Sequence, residues 1–238
     1  MYLHYSKLPG AEAFADLSGG WPRLGQGAVS MVAAPSPQSQ GPVFRLDCKT
    51  GCDPVMLSPI SCQPTLDRII REACSLALNA VRKLQTRDAF AAGEFARFFG
   101  HALNLALPWP GLRDSGARFA IRYRAVADAL RHAGTFYRCD NCIQLREDPP
   151  EGAVLDAHAI ALPPNEVVLC PSFWQLPLFL QAGVILHEMF HLRFDPCFTH
   201  GPCERKRTSA YCYEGFALRV AGHTPEQLVI DRCKALKT

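Results

Sequence analysis

The chain has 238 residues, of which 48% are hydrophobic and 20% are charged, and its net charge at pH 7 is +3. This length and this hydrophobic content suit one large globular domain and exclude a chain that is disordered throughout. Because the net charge is small and Lys and Arg are dispersed, the composition also argues against nucleic acid as a partner.

The N-terminal quarter differs from the rest of the chain. Residues 1–62 are rich in Gly, Pro and Ser, as in the run from Ala33 to Pro42, and they show no sustained hydrophobic periodicity. Such a segment is typical of an extension or linker that wraps a domain. We therefore predict a folded domain over residues 63–238.

Apolar residues at helical spacing predict three helices in the next part of the chain. The first runs from Thr65, its N-cap, to about Gln85. The second is capped by Asp88 and ended by Gly100, and the third spans residues 117–133. Two short strands are then predicted, within residues 152–162 and 166–169, separated by the turn sequence PPN.

The central prediction is a helix that starts near Pro177 and ends by Asp195, because Pro196 disfavours helical geometry in the residue before it. Two further helices are expected, over residues 209–221 and after the capping-box sequence TPEQ that begins at Thr224. The predicted fold class is therefore α+β: mostly helical, with a small sheet and a central helix.

The central helix carries the sequence HExxH, in which His187 and His191 are the histidines and Glu188 is the glutamate. Positions i and i+4 lie on one face of a helix, so the two imidazoles can bind one Zn²⁺ ion while Glu188 lies beside its open position. The apolar neighbours predict a buried helix, in which a metal would offset the cost of burying polar groups. The alternative is a core helix whose histidines are ordinarily hydrogen-bonded.

A catalytic zinc needs a third protein ligand, and four downstream residues are candidates. Asp195 precedes Pro196 and suits a surface turn, His200 lies on a loop, and Glu204 is expected to pair with its basic neighbours in ERKR. Glu214 is preferred, because it lies on an otherwise apolar helix where an isolated carboxylate is costly to bury. The alternative for Glu214 is exposure to solvent, or an ion pair with Arg219 or Arg207.

These residues together predict hydrolysis of a peptide bond. Zinc activates a water molecule, Glu188 acts as general base, and a tyrosine hydroxyl stabilises the oxyanion. Tyr211 is the better candidate because it precedes Glu214 by three residues and faces the same side of the helix, whereas Tyr213 is less well placed. An edge strand close to the central helix would hold an extended peptide by main-chain hydrogen bonds.

The eleven cysteines favour disulfides and an oxidising compartment. The alternative is a structural zinc site at Cys48, Cys52, Cys139 and Cys142, which have ligand-like spacing within each pair. Because the count is odd, at least one thiol is left over, and we expect Cys74 and Cys212 to be free and buried.

The order of several segments resembles the deuterolysin and peptidyl-Lys metallopeptidase family over residues 65–222. The segments are FFG at Phe98, CxxC at Cys139, VVLCPSFW at Val167 and HEMFH at His187, of which LCPSFW is the more specific. The resemblance implies a zincin fold, with the active-site helix beneath a short sheet, in a secreted zinc endopeptidase with disulfides. That family takes its third ligand from an Asp in GTxDxxYG, but Ala210 stands at that place here. This departure favours Glu214 and a gluzincin-like ligand set.

The sequences HEMFHLRF and AYCYEGFA are also similar to metallopeptidase toxin domains at the C-terminal ends of bacterial type VI secretion spike proteins. Residues 1–10 lack the layout of a signal peptide, and no apolar run reaches the roughly 18 residues that span a bilayer. We therefore expect a protein secreted, or delivered to the periplasm or a target cell, by fusion to or carriage on a secretion apparatus. The alternative function is a catalytically silent, zinc-stabilised binding or structural domain.

Overall fold

The computed structural model describes residues 45–47, 59–86, 88–103, 116–132, 135–139, 157–160, 166–194 and 204–238. Side chains are described for these residues except 45–47, 59–63 and 158–160. The described residues all belong to the larger of two units in the chain, and the smaller unit, His4–Gln40, lies outside them. The predicted extension over residues 1–62 therefore also lies outside the described residues, apart from one strand and the start of the first helix.

The described part of the chain is mostly helical and contains one small sheet, which confirms the α+β prediction. The α-helices are α1 (Pro59–Thr86), α2 (Ala89–Phe99), α3 (Gly116–Arg131), α4 (Leu178–Arg193), α5 (Ala210–Val220) and α6 (Gln227–Ala235). The strands are β1 (Arg45–Asp47), β2 (Phe136–Cys139), β3 (Ala157–Ile160) and β4 (Glu166–Leu169).

The sheet has the strand order β1-β2-β4-β3. Strands β1, β2 and β4 are parallel, and β3 pairs with β4 in the antiparallel direction, with Ala159 opposite Val167. The two predicted strands correspond to β3 and β4, whereas β1 and β2 were not predicted. Strand β4, which precedes the segment leading to the central helix, is paired on both sides, so β3 is the terminal antiparallel strand among the strands that the structure describes.

Helix α2 has the ends that its capping residues predict, and α4 and α5 begin within a residue or so of their predicted starts. Asp88 accepts a hydrogen bond from the backbone N–H of Ala91 at the start of α2, and Gly100 ends that helix with a φ of 76°. The central helix α4 follows Pro177 directly, and α5 begins one residue after the predicted start, at Ala210. In α2 the cap and the glycine determine the two ends, whereas α5 is capped by Ser209 in place of the predicted Thr208, without a side-chain capping hydrogen bond.

Two helix starts differ from the predictions. Helix α1 begins at Pro59 and contains Pro64, whereas a start at Thr65 was predicted. Pro64 has no backbone N–H, so one helical hydrogen bond is missing there, and α1 nevertheless extends ahead of it to Pro59. Helix α6 begins at Gln227, so the first residues of the predicted capping box remain extended and Glu226 takes the N-cap position.

The core includes the buried face of α1, and its aromatic part is formed where α2, α3, α4 and α5 meet. Its largest fully buried rings contact one another with centroids 4.3–5.7 Å apart, and they belong to Phe95, Phe99, Phe119, Tyr123, Phe190, Tyr213 and Phe216. Helix α4 also packs against α1 and β3, so it is surrounded by other elements. No helix in the described ranges is long and apolar enough to cross a membrane.

The cysteines of the described residues are mostly oxidised. A disulfide joins Cys212 of α5 to Cys233 of α6, and Cys139 and Cys170 are also disulfide-bonded. The prediction that Cys212 is free was therefore wrong, because α6 packs against α5 and brings Cys233 beside it; Cys74 is free and buried, as predicted. A disulfide-bonded Cys139 does not supply a thiolate to a zinc site, and Cys48, Cys52 and Cys142 lie outside the described residues.

Candidate functional site

The three HExxH side chains lie on α4, in the interior of the protein. His187, Glu188 and His191 are each exposed by only 6–7%. The Nε2 atoms of the two histidines are 3.0 Å apart, because residues four positions apart lie one above the other on the same helical face. A hydrogen bond at this distance needs a hydrogen on one of the two nitrogens, since two facing lone pairs would repel each other.

The segment before α4 holds its first turn in place. Cys170 follows β4, and residues Pro171–Gln175 form a short 3-10 helix that contains the buried side chains of Phe173 and Trp174. The carbonyl of Phe173 accepts a hydrogen bond of 3.0 Å from the side-chain amide of Gln181, which is buried in α4. The LCPSFW segment therefore connects the sheet to the helix that carries the two histidines.

Glu214 enters the site from α5. Its side chain is only 4% exposed, so the alternative of a solvent-facing carboxylate was wrong, and Arg219 pairs with Glu94 of α2. Glu214 Oε2 lies 3.0 Å from Nδ1 of His187, which is the ring nitrogen that does not face His191. The predicted role of Glu214 as third metal ligand stays a prediction, and the contact that is seen favours a different role.

Tyr211 lies against the same histidine. Its ring meets the ring of His187 edge to face, with centroids 4.5 Å apart. Burial raises the pKa of the Tyr211 hydroxyl well above its usual value of 10.0. The negative charges of Glu214, Glu188 and Glu204 raise this pKa further, whereas the positive charge of Arg232 lowers it. The hydroxyl therefore carries its proton at neutral pH, as a hydrogen-bond donor to an oxyanion must.

Tyr213 faces the aromatic core instead. Its hydroxyl accepts a hydrogen bond from Arg122 at 2.7 Å and donates one to the carbonyl of Arg207 at 3.2 Å. Burial raises the pKa of Tyr213 to about 12, although the charge of Arg122 lowers it. Tyr213 is therefore a packing residue, which agrees with its weaker placement in the sequence analysis.

The other candidate ligands divide into two groups. Asp195 and His200 lie outside the described residues. Glu204 is 7% exposed, so a residue expected on a basic surface segment is buried, and its charge acts on Tyr211. The sequence offered no sign of this burial, because the ERKR segment is polar throughout.

The histidine pair provides two of the ligands that a zinc site needs. Within the described ranges, no group of three or more His, Cys, Asp or Glu side chains is arranged to hold a metal. Two imidazole nitrogens on one helical face, with a carboxylate on the far nitrogen of one ring, are nevertheless typical of half of a zinc site. A third donor, if it comes from residues 195–203, lies outside the described residues.

A cleft of about 710 Å³ lies away from these residues. It is lined by α1, by Arg131 at the end of α3 and by the residues that follow the end of α5, and it includes none of the HExxH side chains. Several of its cationic side chains already have acidic or amide partners: Arg71 pairs with Asp67, and Arg82 with Asn79. We do not assign it to the chemistry of the histidine pair.

The fold and the site together define a mostly helical α+β domain with a buried His-Glu-His cluster on its central helix. A comparison with protein-family models finds no match, and a comparison with curated proteins finds none either.

Proposed function

We propose that the protein is a zinc-dependent endopeptidase. The observation that carries this proposal is the pair of Nε2 atoms of His187 and His191, 3.0 Å apart on a buried helix that also carries Glu188. His187 and His191 are the residues that would hold the metal. A bound Zn²⁺ would lower the pKa of a water molecule and polarise the carbonyl of the scissile peptide bond.

The protein's own groups perform the remaining steps. Glu188 accepts a proton from the attacking water and passes it to the leaving amine, as a general base and then a general acid. Tyr211 donates a hydrogen bond to the developing oxyanion. The terminal strand β3, which packs against α4, is suited to hold the substrate peptide in extended form by main-chain hydrogen bonds.

We propose further that the protein acts outside the cytoplasm, as a secreted or injected bacterial effector or toxin domain. The disulfide-bonded Cys139, Cys170, Cys212 and Cys233 support this, because structural disulfides persist in oxidising compartments. The similarity of HEMFHLRF and AYCYEGFA to toxin domains of secretion spike proteins supports delivery by a secretion apparatus.

The test compares the wild type with Glu188→Gln, using bound zinc and hydrolysis of a peptide library with a chelator control. We expect the wild type to bind stoichiometric zinc and to cleave peptides, with cleavage abolished by the chelator. Glu188→Gln should keep its zinc and lose roughly 10²–10⁴-fold in rate, because only the proton transfer is removed. Glu94→Gln, which removes another buried carboxylate, is the matched control and should retain both.

Two results would contradict the proposal. A wild type that binds no zinc would exclude the metal centre. A wild type that binds zinc at the histidines but cleaves no peptide would favour the alternative of a catalytically silent, zinc-stabilised binding domain.

A further inference from the structure

The His187 ring is contacted at both of its nitrogens. Its Nε2 faces Nε2 of His191 at 3.0 Å, and its Nδ1 faces Oε2 of Glu214, also at 3.0 Å. When the Glu214 carboxylate is ionised it only accepts hydrogen bonds, and Nδ1 of His187 then carries the hydrogen in this contact. A neutral imidazole with its hydrogen on Nδ1 has its lone pair on Nε2, the atom that faces His191.

Gly183 makes room for the Glu214 carboxylate on α4. A Cβ at Gly183 would lie 3.1 Å from Oε1 of Glu214 and 3.1 Å from Cδ1 of Leu218. Gly183 lies one turn before His187 on α4, whereas His191 lies one turn after it. One oxygen of the Glu214 carboxylate therefore contacts Nδ1 of His187, and the other lies beside Gly183, one turn earlier on α4.

The position of the carboxylate is fixed by the packing of α5. Tyr123 of α3 donates a hydrogen bond of 2.6 Å to the backbone carbonyl of Tyr213, the residue before Glu214. Both Gly183 and Glu214 are buried, so the contact with His187 is made away from solvent. A carboxylate that is buried and held in this way orients a histidine ring and selects its tautomer.

We propose that Glu214 is a positioning residue for His187, which fixes the tautomer that presents Nε2 to the metal, and that Glu214 is not the third zinc ligand. This inference rests on the proposed function for the identity of the metal. The contact between Glu214 and Nδ1 of His187 does not depend on it. If Glu214 is not a ligand, the third protein ligand of the zinc must come from another residue.

The first experiment measures metal binding, with Glu214→Gln, Glu214→Ala and the control Glu94→Gln. Gln keeps a carbonyl acceptor for the Nδ1 hydrogen, so we expect Glu214→Gln to bind zinc within about tenfold of the wild type. Glu214→Ala should bind about 10–100-fold more weakly, the usual effect of losing such an outer partner. At saturating Co²⁺, both variants should show the visible absorption spectrum of the wild type, since the ligand set is unchanged.

The second experiment reads the tautomer directly and needs no metal. Nitrogen-15 NMR of the metal-free protein should show His187 with its hydrogen on Nδ1, and Glu214→Ala should shift His187 towards the Nε2–H tautomer. A His187 with its hydrogen on Nε2 in the wild type would overturn the inference. A Co²⁺ spectrum altered by Glu214→Gln, or zinc lost as completely as in His187→Ala, would also overturn it.

The two proposals fail in different ways. A wild type that binds zinc and hydrolyses nothing contradicts the proposed peptidase but leaves the tautomer result to support the role of Glu214, whereas a wild type that binds no metal contradicts both proposals. An active zinc peptidase whose Co²⁺ spectrum changes in Glu214→Gln keeps its function and assigns Glu214 to the metal.

Discussion

At the scale of single residues, Asp88 provides a test that is independent of the proposed site. Its carboxylate pairs with Lys83 at 2.9 Å and accepts the backbone N–H of Ala91 at 3.0 Å. The hydrogen bond from Lys83, followed by that from Ala91, lowers the pKa of Asp88 below 3.8. The pKa of Asp88 is therefore lower in the folded protein than in the unfolded chain. The ionised Asp88 side chain stabilises the fold fully at pH values above its unfolded pKa, and this contribution is lost as the pH falls through its folded pKa.

We therefore expect Asp88→Asn to be less stable than the wild type near neutral pH, with a difference that shrinks below pH 3.8. Asn keeps the N-cap acceptor, so the change isolates the charge. Urea unfolding at a series of pH values measures the difference, and Asp67→Asn, which removes an exposed pair with Arg71, is the matched control. A difference that is constant with pH would show that the charge of Asp88 does not contribute.

The site residues show which contacts a sequence can predict. The common face of His187 and His191 follows from helical spacing and is seen in the structure. The burial of Glu214 was expected from its apolar neighbours, and it too is seen. The atom that Glu214 contacts was not predicted, because it depends on how closely α5 approaches α4 at Gly183, and that distance is set by tertiary packing.

At the scale of elements, two glycines in adjacent helices provide a matched pair. A Cβ at Gly215 of α5 would lie 2.3 Å from the ring of Phe98, which is buried in α2. A Cβ at Gly93 of α2 would meet nothing within 4 Å. The first position therefore has no room for a methyl group, and the second is open.

We expect Gly215→Ala to lower the free energy of unfolding by about 1–3 kcal/mol, because either the Phe98 ring or α5 must shift. Gly93→Ala should raise it by about 1 kcal/mol, because Ala has the higher helix propensity. Chemical denaturation of both variants against the wild type measures the two changes. An equal effect of the two substitutions would show that α2 and α5 do not pack as closely as described.

The elements that the sequence predicted correctly are those whose ends are marked by nearby residues, such as a cap or a proline. The caps of α2 and the proline before α4 act within one or two residues, so their positions follow from the sequence. Strands β1 and β2 have three and four residues and pair in parallel with partners far along the chain. Their formation depends on long-range pairing, for which a short run such as FYRC at Phe136 carries no periodic pattern.

At the scale of the whole molecule, α4 packs against several of the other described elements. It contacts α1, α3, α5 and β3, so four other elements hold the helix that carries the two histidines. A site built in this way is pre-organised, but its burial also requires that polar groups be compensated. Metal binding to α4 should therefore stabilise the packing of the whole domain.

We expect zinc to raise the free energy of unfolding by about 2.7 kcal/mol when free zinc is 100 times its Kd, because the unfolded chain has no preformed histidine pair. Thermal unfolding with zinc and with a chelator measures the shift, with the disulfides kept oxidised so that thiolates do not compete. The double variant His187→Ala/His191→Ala should show no dependence on zinc. An equal zinc-dependent shift in that variant would place the metal elsewhere in the chain, and a wild type that zinc does not stabilise would contradict a metal site on α4.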